Sequence, residues 1–440
     1  MSHGNTVFTV SPSQQLRGTF RVPGDKSISH RSIMLASLAE GVSRVTGFLN
    51  GEDCLATMKA FQSMGVEIEQ ISDTELLIHG VGMRGLKAPV GDLYLGNSGT
   101  SMRLMSGLMA AQGFDVTMSG DSSLSARPMR RVTEPLTSMG ASIDTTDSGT
   151  PPLAIRGGKK LKGIQYDMPV ASAQVKSCLL LAGLYADGKT CVTEPAPSRD
   201  HTERMLEGFG YPVSRDGATV CVDGGGSLSA ADVDVPADIS SAAFFLVGGC
   251  IAKDSDILLE HVGINPTRTG VIDILKLMGG DIEISNERVV GGEPVADIRV
   301  RSSTLSGIDI PEELVPLAID EFPALFVAAS CAEGTTRLSG AEELRVKESD
   351  RIQVMADGLD ACEIPHQVMP DGIIIEGGHR FGAGTIDSHG DHRIAMAFTM
   401  ASLRSDGVIT IRDCDNVNTS FPGFVELASA AGVRVESFKL

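Results

Sequence analysis

The hydrophobic and polar positions of this chain follow a pattern that repeats. A run of small and apolar residues, typical of a buried helix, follows a turn rich in Gly, Ser and Asp. A β-branched strand, a second helix and a final strand after a glycine come next. In the first copy these parts begin at Gly24 and lie at 33–36, 42–45, 54–64 and 65–68. The pattern predicts a helix-and-strand module of roughly 70 residues, longer than the usual solenoid repeats.

The start of this module recurs along the whole chain. The six starts lie at residues 24–31, 96–100, 171–174, 238–241, 320–323 and 390–393. Six modules predict two globes of three, divided near residue 236, with a ligand site in the cleft between them. A non-catalytic repeat scaffold is the alternative. The six starts differ in their polar residues, which favours an asymmetric ligand site over a scaffold.

Composition narrows the class of protein and its compartment. The chain has 440 residues, 42% of them hydrophobic, and a formal net charge of −19. That charge argues against a general nucleic-acid or membrane-surface role, so basic residues that bind an anion must be concentrated locally. We find no leader-like segment at residues 1–10 and no apolar stretch long enough to span a bilayer, and therefore expect a cytoplasmic protein.

The eight cysteines lie far apart along the chain. They occupy positions 54, 178, 191, 221, 250, 331, 362 and 414. Without close pairs, they predict neither a disulfide framework nor a cysteine zinc site, and we interpret them as small core residues.

The first module start has the features of an anion site. Gly24 allows a tight turn, Ser27 can cap the helix, and Arg31 lies one helical turn after Ser27 on the same face. Free N–H groups and the positive end of a helix dipole favour a phosphate or carboxylate there. One such helix alone would be unremarkable at a protein surface, but here the pattern recurs.

Five segments together resemble one family over almost the whole chain, the 3-phosphoshikimate 1-carboxyvinyltransferases or EPSP synthases. The segments are GDKSISHR at 24–31, GNSGTSMR at 96–103, RPM at 127–129, RVKESDR at 345–351 and DHR at 391–393. The resemblance implies an α/β two-globe enolpyruvyl transferase fold, an inside-out α/β barrel of six βαβαββ units. It places residues 22–235 in the first globe and residues 1–21 with 236–440 in the second.

The resemblance also implies a reaction and a set of site residues. The enolpyruvyl group of phosphoenolpyruvate would pass to the 5-hydroxyl of shikimate 3-phosphate through a tetrahedral intermediate, with release of phosphate. Shikimate 3-phosphate would be bound by Lys26, Ser27, Arg31, Ser172, Gln174, Ser198, Asp320 and Lys347. Phosphoenolpyruvate would be bound by Lys26, Gly99, Arg127, Gln174, Arg351 and Arg393.

The reaction requires two titratable groups in different environments. By resemblance, Asp320 would be the base near the 5-hydroxyl, and Glu348 with Lys26 would donate the proton to the methylene carbon. In isolation Asp320 would more often be a helix cap and Glu348 an ordinary surface acid. Lys347 and Arg351, four residues apart, can share a helix face. For Arg103 we expect a structural or supporting role.

Fixed charges and proton transfer suffice for this chemistry, so we expect no metal and no organic cofactor. His389 and His392 lack a third metal ligand of any specificity. The expected partners are the two small-molecule substrates, without nucleic acid or membrane, and we expect a monomer. The resemblance further implies that the herbicide glyphosate occupies the phosphoenolpyruvate site beside Gly99.

Two positions depart from one subgroup of the family. Thr419 stands where that subgroup has a lysine, and Ser123 stands where it has an arginine, which puts two phosphoenolpyruvate contacts in doubt. The sister transferase that acts on UDP-N-acetylglucosamine is the nearest alternative, but its reactive cysteine has no counterpart in the loop 120–128. The related RNA 3′-phosphate cyclases are disfavoured by the acidic charge.

Overall fold

Each predicted module contains one almost wholly buried helix and a second helix that is more exposed. The structure, a computed structural model, describes residues 6–440. Its α-helices are α1 (Lys26–Leu38), α2 (Glu52–Ser63), α3 (Gly99–Met109), α4 (Ser122–Ser125), α5 (Arg130–Ser138), α6 (Ala173–Gly183), α7 (His201–Gly208), α8 (Ile239–Ile251), α9 (Gly270–Leu277), α10 (Phe322–Cys331), α11 (Arg351–Ala361), α12 (His392–Ala401) and α13 (Phe424–Ala431). The buried helices α1, α3, α6, α8, α10 and α12 begin within three residues of the six predicted starts.

The strands are mostly short and lie between these helices. They are β1 (Thr6–Ser11), β2 (Arg17–Phe20), β3 (Ala39–Thr46), β4 (Glu67–Ser72), β5 (Glu75–Val81), β6 (Leu93–Tyr94), β7 (Val116–Ser119), β8 (Ser142–Asp144), β9 (Leu153–Arg156), β10 (Gln165–Asp167), β11 (Lys189–Thr193), β12 (Ser214–Asp216), β13 (Thr219–Asp223), β14 (Leu228–Ser229), β15 (Val233–Asp234), β16 (Asp256–Gly263), β17 (Asp281–Val290), β18 (Glu293–Arg301), β19 (Thr335–Leu338), β20 (His366–Met369), β21 (Gly372–Glu376), β22 (Gly384–Asp387), β23 (Ile409–Arg412) and β24 (Arg434–Lys439).

The chain divides into two compact units. The first, which we call the N-terminal unit, comprises residues 24–235 and 290–293. Its three sheets have the strand orders β14-β3-β5-β4, β6-β7-β9-β8 and β10-β11-β13-β12, and β15 also pairs with β3. Along each of these strand orders one parallel pair is followed by two antiparallel pairs, and the additional pair β15–β3 is parallel. The recurrence of this strand pattern is the structural counterpart of the sequence repeat.

The C-terminal unit comprises residues 6–23, 236–289 and 294–440. Its sheets have the strand orders β22-β23-β1-β24, β17-β18-β16-β2 and β19-β21-β20. The leader of the chain supplies one strand to each of two sheets: β1 lies antiparallel between β23 and β24, and β2 lies parallel to β16.

Each unit has its own hydrophobic core, built around its three buried helices. In the N-terminal unit α3 packs against α6 and α1, and in the C-terminal unit α8, α10 and α12 pack against one another. The interiors of these helices are so apolar that every residue of α8 is buried. The charged side chains and the histidines of these six helices lie near the helix starts, where several of the predicted site residues also lie. None of the helices within residues 6–440 has the length and apolarity that crossing a bilayer requires.

One detail of the sequence-based prediction was wrong. The cysteines include one bonded pair, Cys191–Cys221, because β11 and β13 place these residues directly opposite each other although 30 positions separate them. Spacing along the chain cannot reveal such a register.

Candidate active site

The start of α1 is capped by Asp25 and not, as predicted, by Ser27. The Asp25 carboxylate accepts the backbone N–H of Ile28 at 2.8 Å. Lys26 is the first helical residue, and its ammonium group pairs with the carboxylate of Asp53, a buried residue in the first turn of α2. The Lys26 side chain remains 19% exposed. Asp53 thus fixes the direction of a lysine whose charge still reaches the surface of the unit.

Arg31 is buried, and its guanidinium is held by neighbouring elements of the same unit. Nε donates to Thr202 Oγ1 at 2.7 Å, Nη2 to Ser177 Oγ at 2.8 Å and Nη1 to the Ser27 carbonyl at 3.0 Å. Burial lowers the pKa of Arg31 to about 10, so the side chain stays positive at neutral pH. These bonds orient the guanidinium toward Ser27 at the start of α1.

His30 on α1 contacts side chains of two other helices of the unit, α2 and α3. Its Nδ1 lies 2.9 Å from Thr57 Oγ1 on α2 and 3.3 Å from Ser101 Oγ on α3. Burial, with the nearby charges of Lys26 and Arg31, lowers the pKa of His30 well below its usual value. The imidazole is therefore neutral near pH 7 and acts as a structural link between the helices.

The start of α3 brings Gly99 against two arginines. Ser98 caps the helix by accepting the N–H of Ser101 at 3.1 Å. A Cβ atom built on Gly99 would lie 3.0 Å from Nη1 of Arg103 and 3.0 Å from Nη1 of Arg127. The glycine therefore lets the backbone approach both guanidinium groups closely.

Gln174 connects the starts of α6 and α3. Its Oε1 accepts from Arg103 Nη1 at 2.5 Å, and its Nε2 donates to Thr100 Oγ1 at 3.0 Å. Arg127, buried at the end of the loop before α5, donates from Nη2 to Asn97 Oδ1 at 2.7 Å. Arg103 thus holds the amide oxygen of Gln174, and its supporting role stays a prediction. Three predicted site residues, Gly99, Arg127 and Gln174, are thus brought together.

Ser172 and Ser198 differ in how their hydroxyl groups are used. Ser172 caps α6, and its Oγ accepts the N–H of Val175 at 3.3 Å. Ser198 is half-buried in the loop after β11 and donates its hydroxyl to Glu194 Oε1. Sequence reasoning gave no role to Glu194.

In the C-terminal unit, Asp320 lies between two cations. Its Oδ1 is 3.2 Å from Arg351 Nη1 and 3.4 Å from Lys347 Nζ, and its side chain is 14% exposed. Asp320 is not a helix cap, because α10 begins after Glu321, which makes no side-chain cap bond. Lys347 and Arg351 do not share a helix face: Lys347 precedes α11, which begins at Arg351. They converge on Asp320 through the loop instead.

Arg351 connects three carboxylates. Besides Asp320, its Nη2 donates to Glu348 Oε2 at 2.7 Å and its Nε to Asp391 Oδ2 at 2.9 Å. Burial alone would lower the pKa of Arg351, but these carboxylates outweigh it and raise the pKa. Burial would likewise raise the pKa of Asp391, which the Arg351 charge reverses, so the pKa of Asp391 lies below its usual value. Both groups stay charged across the neutral range.

Glu348 and Arg393 are partly exposed, unlike the buried Arg351 and Asp391. The Glu348 side chain is 23% exposed, whereas those of Arg351 and Asp391 are at most 1% exposed. Arg393 lies in the first turn of α12, where its backbone N–H donates to the capping carboxylate of Asp391 at 3.0 Å. The structure therefore brings Asp320, Lys347, Glu348 and Arg351 into direct contact and links Arg393 to them through Asp391.

Within residues 6–440, one group of side chains has the arrangement of three metal ligands. Glu67, Glu69 and His79 lie on the exposed face of β4 and β5, and their ligating atoms are within 4.8 Å of one another. The predicted site residues are not among them, and neither His389 nor His392 takes part. Thr419, at the position of the missing lysine, is buried and donates its hydroxyl to the Asn416 carbonyl at 2.7 Å.

Three acidic residues with evident roles were missed by sequence reasoning. Asp53 holds Lys26, Glu194 holds Ser198, and Asp391 holds Arg351. None of the three was among the predicted site residues, and Asp53 and Asp391 lie far along the chain from the residues that they hold. Asp391 stands in a segment that carried the family resemblance, and its place before a helix was the only signal available for its role as a cap.

Comparison with known proteins gives one consistent result. The family model described as EPSP synthase (3-phosphoshikimate 1-carboxyvinyltransferase) matches residues 10–427. The 3-phosphoshikimate 1-carboxyvinyltransferase of Methylococcus capsulatus is 67% identical over 436 residues, covering 99% of this chain and 100% of that protein. Its counterpart in Nitrosococcus oceani is 66% identical over 439 residues, covering 100% of this chain and 99% of that protein.

Solved structures that are similar to this chain come from the same family or share its fold. A 2.37 Å structure of the EPSP synthase from Acinetobacter baumannii has a TM-score of 0.88 and 59% identity, covering 99% of this chain and 100% of that one. The enolpyruvyl transferase NikO from Streptomyces tendae has a TM-score of 0.82 at 18% identity, covering 99% and 100% of the two chains. At that identity the second match shows a shared fold and nothing about the reaction.

Proposed function

Because the chain belongs to the EPSP synthase family, we propose that the residue clusters of its two units together carry out one enolpyruvyl transfer. The fold is the two-globe enolpyruvyl transferase fold that the family resemblance implied. The activity is that of a 3-phosphoshikimate 1-carboxyvinyltransferase: the enolpyruvyl group of phosphoenolpyruvate passes to the 5-hydroxyl of shikimate 3-phosphate, and phosphate leaves. Which residues do this is our proposal.

The N-terminal unit would supply most of the anion-binding groups. Ser27 and Arg31 would bind the shikimate carboxylate, and Ser172 and Ser198 the phosphate. The internal bonds of Arg31 leave part of its five-donor guanidinium for a ligand, since each nitrogen contact uses one hydrogen. A fixed arginine loses little entropy on binding a carboxylate, which supports its assignment.

Phosphoenolpyruvate would lie beside Gly99. The observation that carries this proposal is the meeting of Gly99, Arg103, Arg127 and Gln174 at the starts of α3 and α6. Two guanidinium groups and two helix N-termini make a strongly positive region inside a protein of net charge −19. A small polyanion is the ligand that such a region fits. Lys26 would lie between the two substrates.

The C-terminal unit would supply the proton-transfer groups. Asp320 would take the proton of the 5-hydroxyl, which develops negative charge as it attacks. Lys347 would bind the phosphate of shikimate 3-phosphate, and Arg351 and Arg393 would bind phosphoenolpyruvate. Arg351 is already bonded to three carboxylates, so its main contribution would be to hold Asp320 and Glu348 in place and to provide positive charge.

Glu348, with Lys26, would deliver the proton to the methylene carbon, and the same groups would reverse their transfers when the tetrahedral intermediate collapses. Glu348 is the most exposed carboxylate on Arg351, and it can exchange protons with solvent more readily than the buried Asp391. These two different environments support a division of labour between Asp320 and Glu348. The chemistry needs no metal or organic cofactor.

Release of phosphate from phosphoenolpyruvate tests the proposal directly. We expect release with shikimate 3-phosphate as acceptor and none with UDP-N-acetylglucosamine. A preference for the sugar nucleotide would overturn the assignment. Absence of release with either acceptor, with the protein folded, would favour the scaffold alternative.

The expectations of a monomer and of a cytoplasmic location stay predictions. Size-exclusion chromatography with light scattering would test the first, since a dimer would double the measured mass from 46.2 kDa. Cell fractionation would test the second.

A further inference from the structure

A buried lysine organises the region around Ser198. Lys176 lies on α6, and its Nζ is 2.8 Å from Glu194 Oε2 and 2.8 Å from Glu203 Oε1 on α7. The side chains of Lys176 and Glu203 are each 1% exposed, and that of Glu194 is 9% exposed. Buried charges are costly unless they are paired, so this trio holds the loop after β11 in a fixed place.

Glu194 uses its second oxygen to hold Ser198. Oε2 faces Lys176, and Oε1 accepts the hydroxyl hydrogen of Ser198. A serine hydroxyl has one hydrogen to donate. The hydrogen of Ser198 is therefore already used by a carboxylate. Ser172 is different: its Oγ accepts the N–H of Val175, and no acceptor within residues 6–440 takes its own hydrogen, which is left for a ligand.

We propose that Glu194 is a positioning residue that competes with the phosphate group of shikimate 3-phosphate for the hydroxyl hydrogen of Ser198. This inference rests on the proposed function, which assigns Ser198 to that phosphate. When the phosphate binds, the Ser198 O–H turns from one anionic acceptor to another, and Glu194 stays paired with Lys176. Ser198 then contributes little to affinity, although its hydroxyl never lacks a partner.

The Glu194→Gln variant removes this competition in a defined way. Lys176 has only donors, so the amide oxygen must face it, and the amide N–H₂ must face Ser198. The amide then donates to Ser198 Oγ, which frees the serine hydrogen for the phosphate. We expect shikimate 3-phosphate to bind about tenfold more tightly to this variant, the usual size of a hydrogen bond to a charged group. Isothermal titration calorimetry measures the change.

Glu203→Gln is the matched control. It also removes one negative charge beside Lys176, but Glu203 makes no contact with Ser198 among residues 6–440. Tightening caused by charge alone would appear in both variants, whereas tightening caused by competition appears only in Glu194→Gln. Shikimate, which lacks the phosphate, should bind the wild type and Glu194→Gln equally.

A double-mutant cycle completes the test. In a Ser198→Ala background Glu194→Gln should lose most of its tightening, since no hydroxyl is left to compete for. Equal tightening with and without the Ser198 hydroxyl, equal tightening in Glu203→Gln, or weaker binding by Glu194→Gln would each overturn the inference.

Two single variants keep the inference testable if Glu194→Gln does not fold. Ser198→Ala should weaken shikimate 3-phosphate binding less than about threefold, and Ser172→Ala should weaken it more, because only the Ser172 hydrogen is free for the ligand. Thermal unfolding verifies that each variant is folded. The reverse order would overturn the inference.

The wild type separates this inference from the proposed function. A wild type that neither binds shikimate 3-phosphate nor releases phosphate would refute both. A wild type that is active, with an unchanged affinity in Glu194→Gln, would refute only the role of Glu194.

Discussion

Replacing Asp320 by asparagine separates its proposed chemical role from its structural one. Asp320→Asn keeps the shape of the side chain and removes its charge and its basicity. In the structure Asp320 contacts Arg351 at 3.2 Å and Lys347 at 3.4 Å. Arg351 would keep Glu348 and Asp391, both within 2.9 Å. The buried guanidinium would therefore not be left without a negative partner.

The two expected magnitudes differ widely. Losing a positioned general base costs about 10²- to 10⁴-fold in turnover, which corresponds to about 2.7–5.4 kcal/mol of transition-state stabilisation. Losing a partly exposed ion pair costs about 1 kcal/mol of folding free energy. In a unit of this size that lowers the melting temperature by about 2–4 °C. Turnover should thus collapse while the fold persists.

Steady-state phosphate release gives kcat and the KM of each substrate, and thermal unfolding by circular dichroism gives the change in stability. Asp256→Asn is the matched control: Asp256 lies in the same unit, is bonded to Arg299 at 2.8 Å, and is partly exposed on β16. We expect its kcat to stay within about twofold of wild type. If folded Asp320→Asn keeps more than about a fifth of wild-type kcat, Asp320 is not the base.

Two further changes probe the rest of the site. Gly99→Ala places a methyl group 3.0 Å from the guanidinium groups of Arg103 and Arg127, which must shift by a few tenths of an ångström. We therefore expect the inhibition constant of glyphosate to rise about tenfold, and by more than the KM of phosphoenolpyruvate rises. An inhibition constant no higher than that of the wild type would refute this prediction. Asp391→Asn removes a buried partner of Arg351, and chemical denaturation at pH 7 should show a loss of about 3 kcal/mol. Because folding lowers the pKa of Asp391, this carboxylate stabilises the fold fully at pH values above its pKa in the unfolded chain, and the stabilisation is lost as the pH falls below about 4. A stability difference between wild type and variant that is the same at pH 3 as at pH 7 would contradict this account.

Much of the architecture was determined by local sequence. The six buried helices begin where glycine and small polar residues give way to apolar runs, because a helix start needs a cap or turn and a buried helix needs an apolar interior. The repeat gave the number of modules. The motifs gave the family, since five ordered segments are specific where a single helix start is not. These signals are local or repeated, and a sequence displays them directly.

The tertiary structure decided which residues support the chemistry. Asp53 meets Lys26, Glu194 meets Lys176, and Cys191 bonds to Cys221, in each case through a contact between different helices, loops or strands. Such contacts depend on how elements pack and on strand register, and neither is encoded in spacing along the chain.

Even for residues a few positions apart, the sequence did not determine which side chain caps α1 or how Lys347 lies relative to Arg351. Ser27 and Asp25 both precede apolar residues, and the choice of Asp25 as cap depends on where the helix actually begins. Lys347 and Arg351 have helical spacing, yet the helix starts only at Arg351, and the two cations meet through Asp320. Local sequence thus determined the modules and the family, while packing decided which side chains hold one another, because only the folded chain brings distant charges and hydroxyl groups within bonding distance.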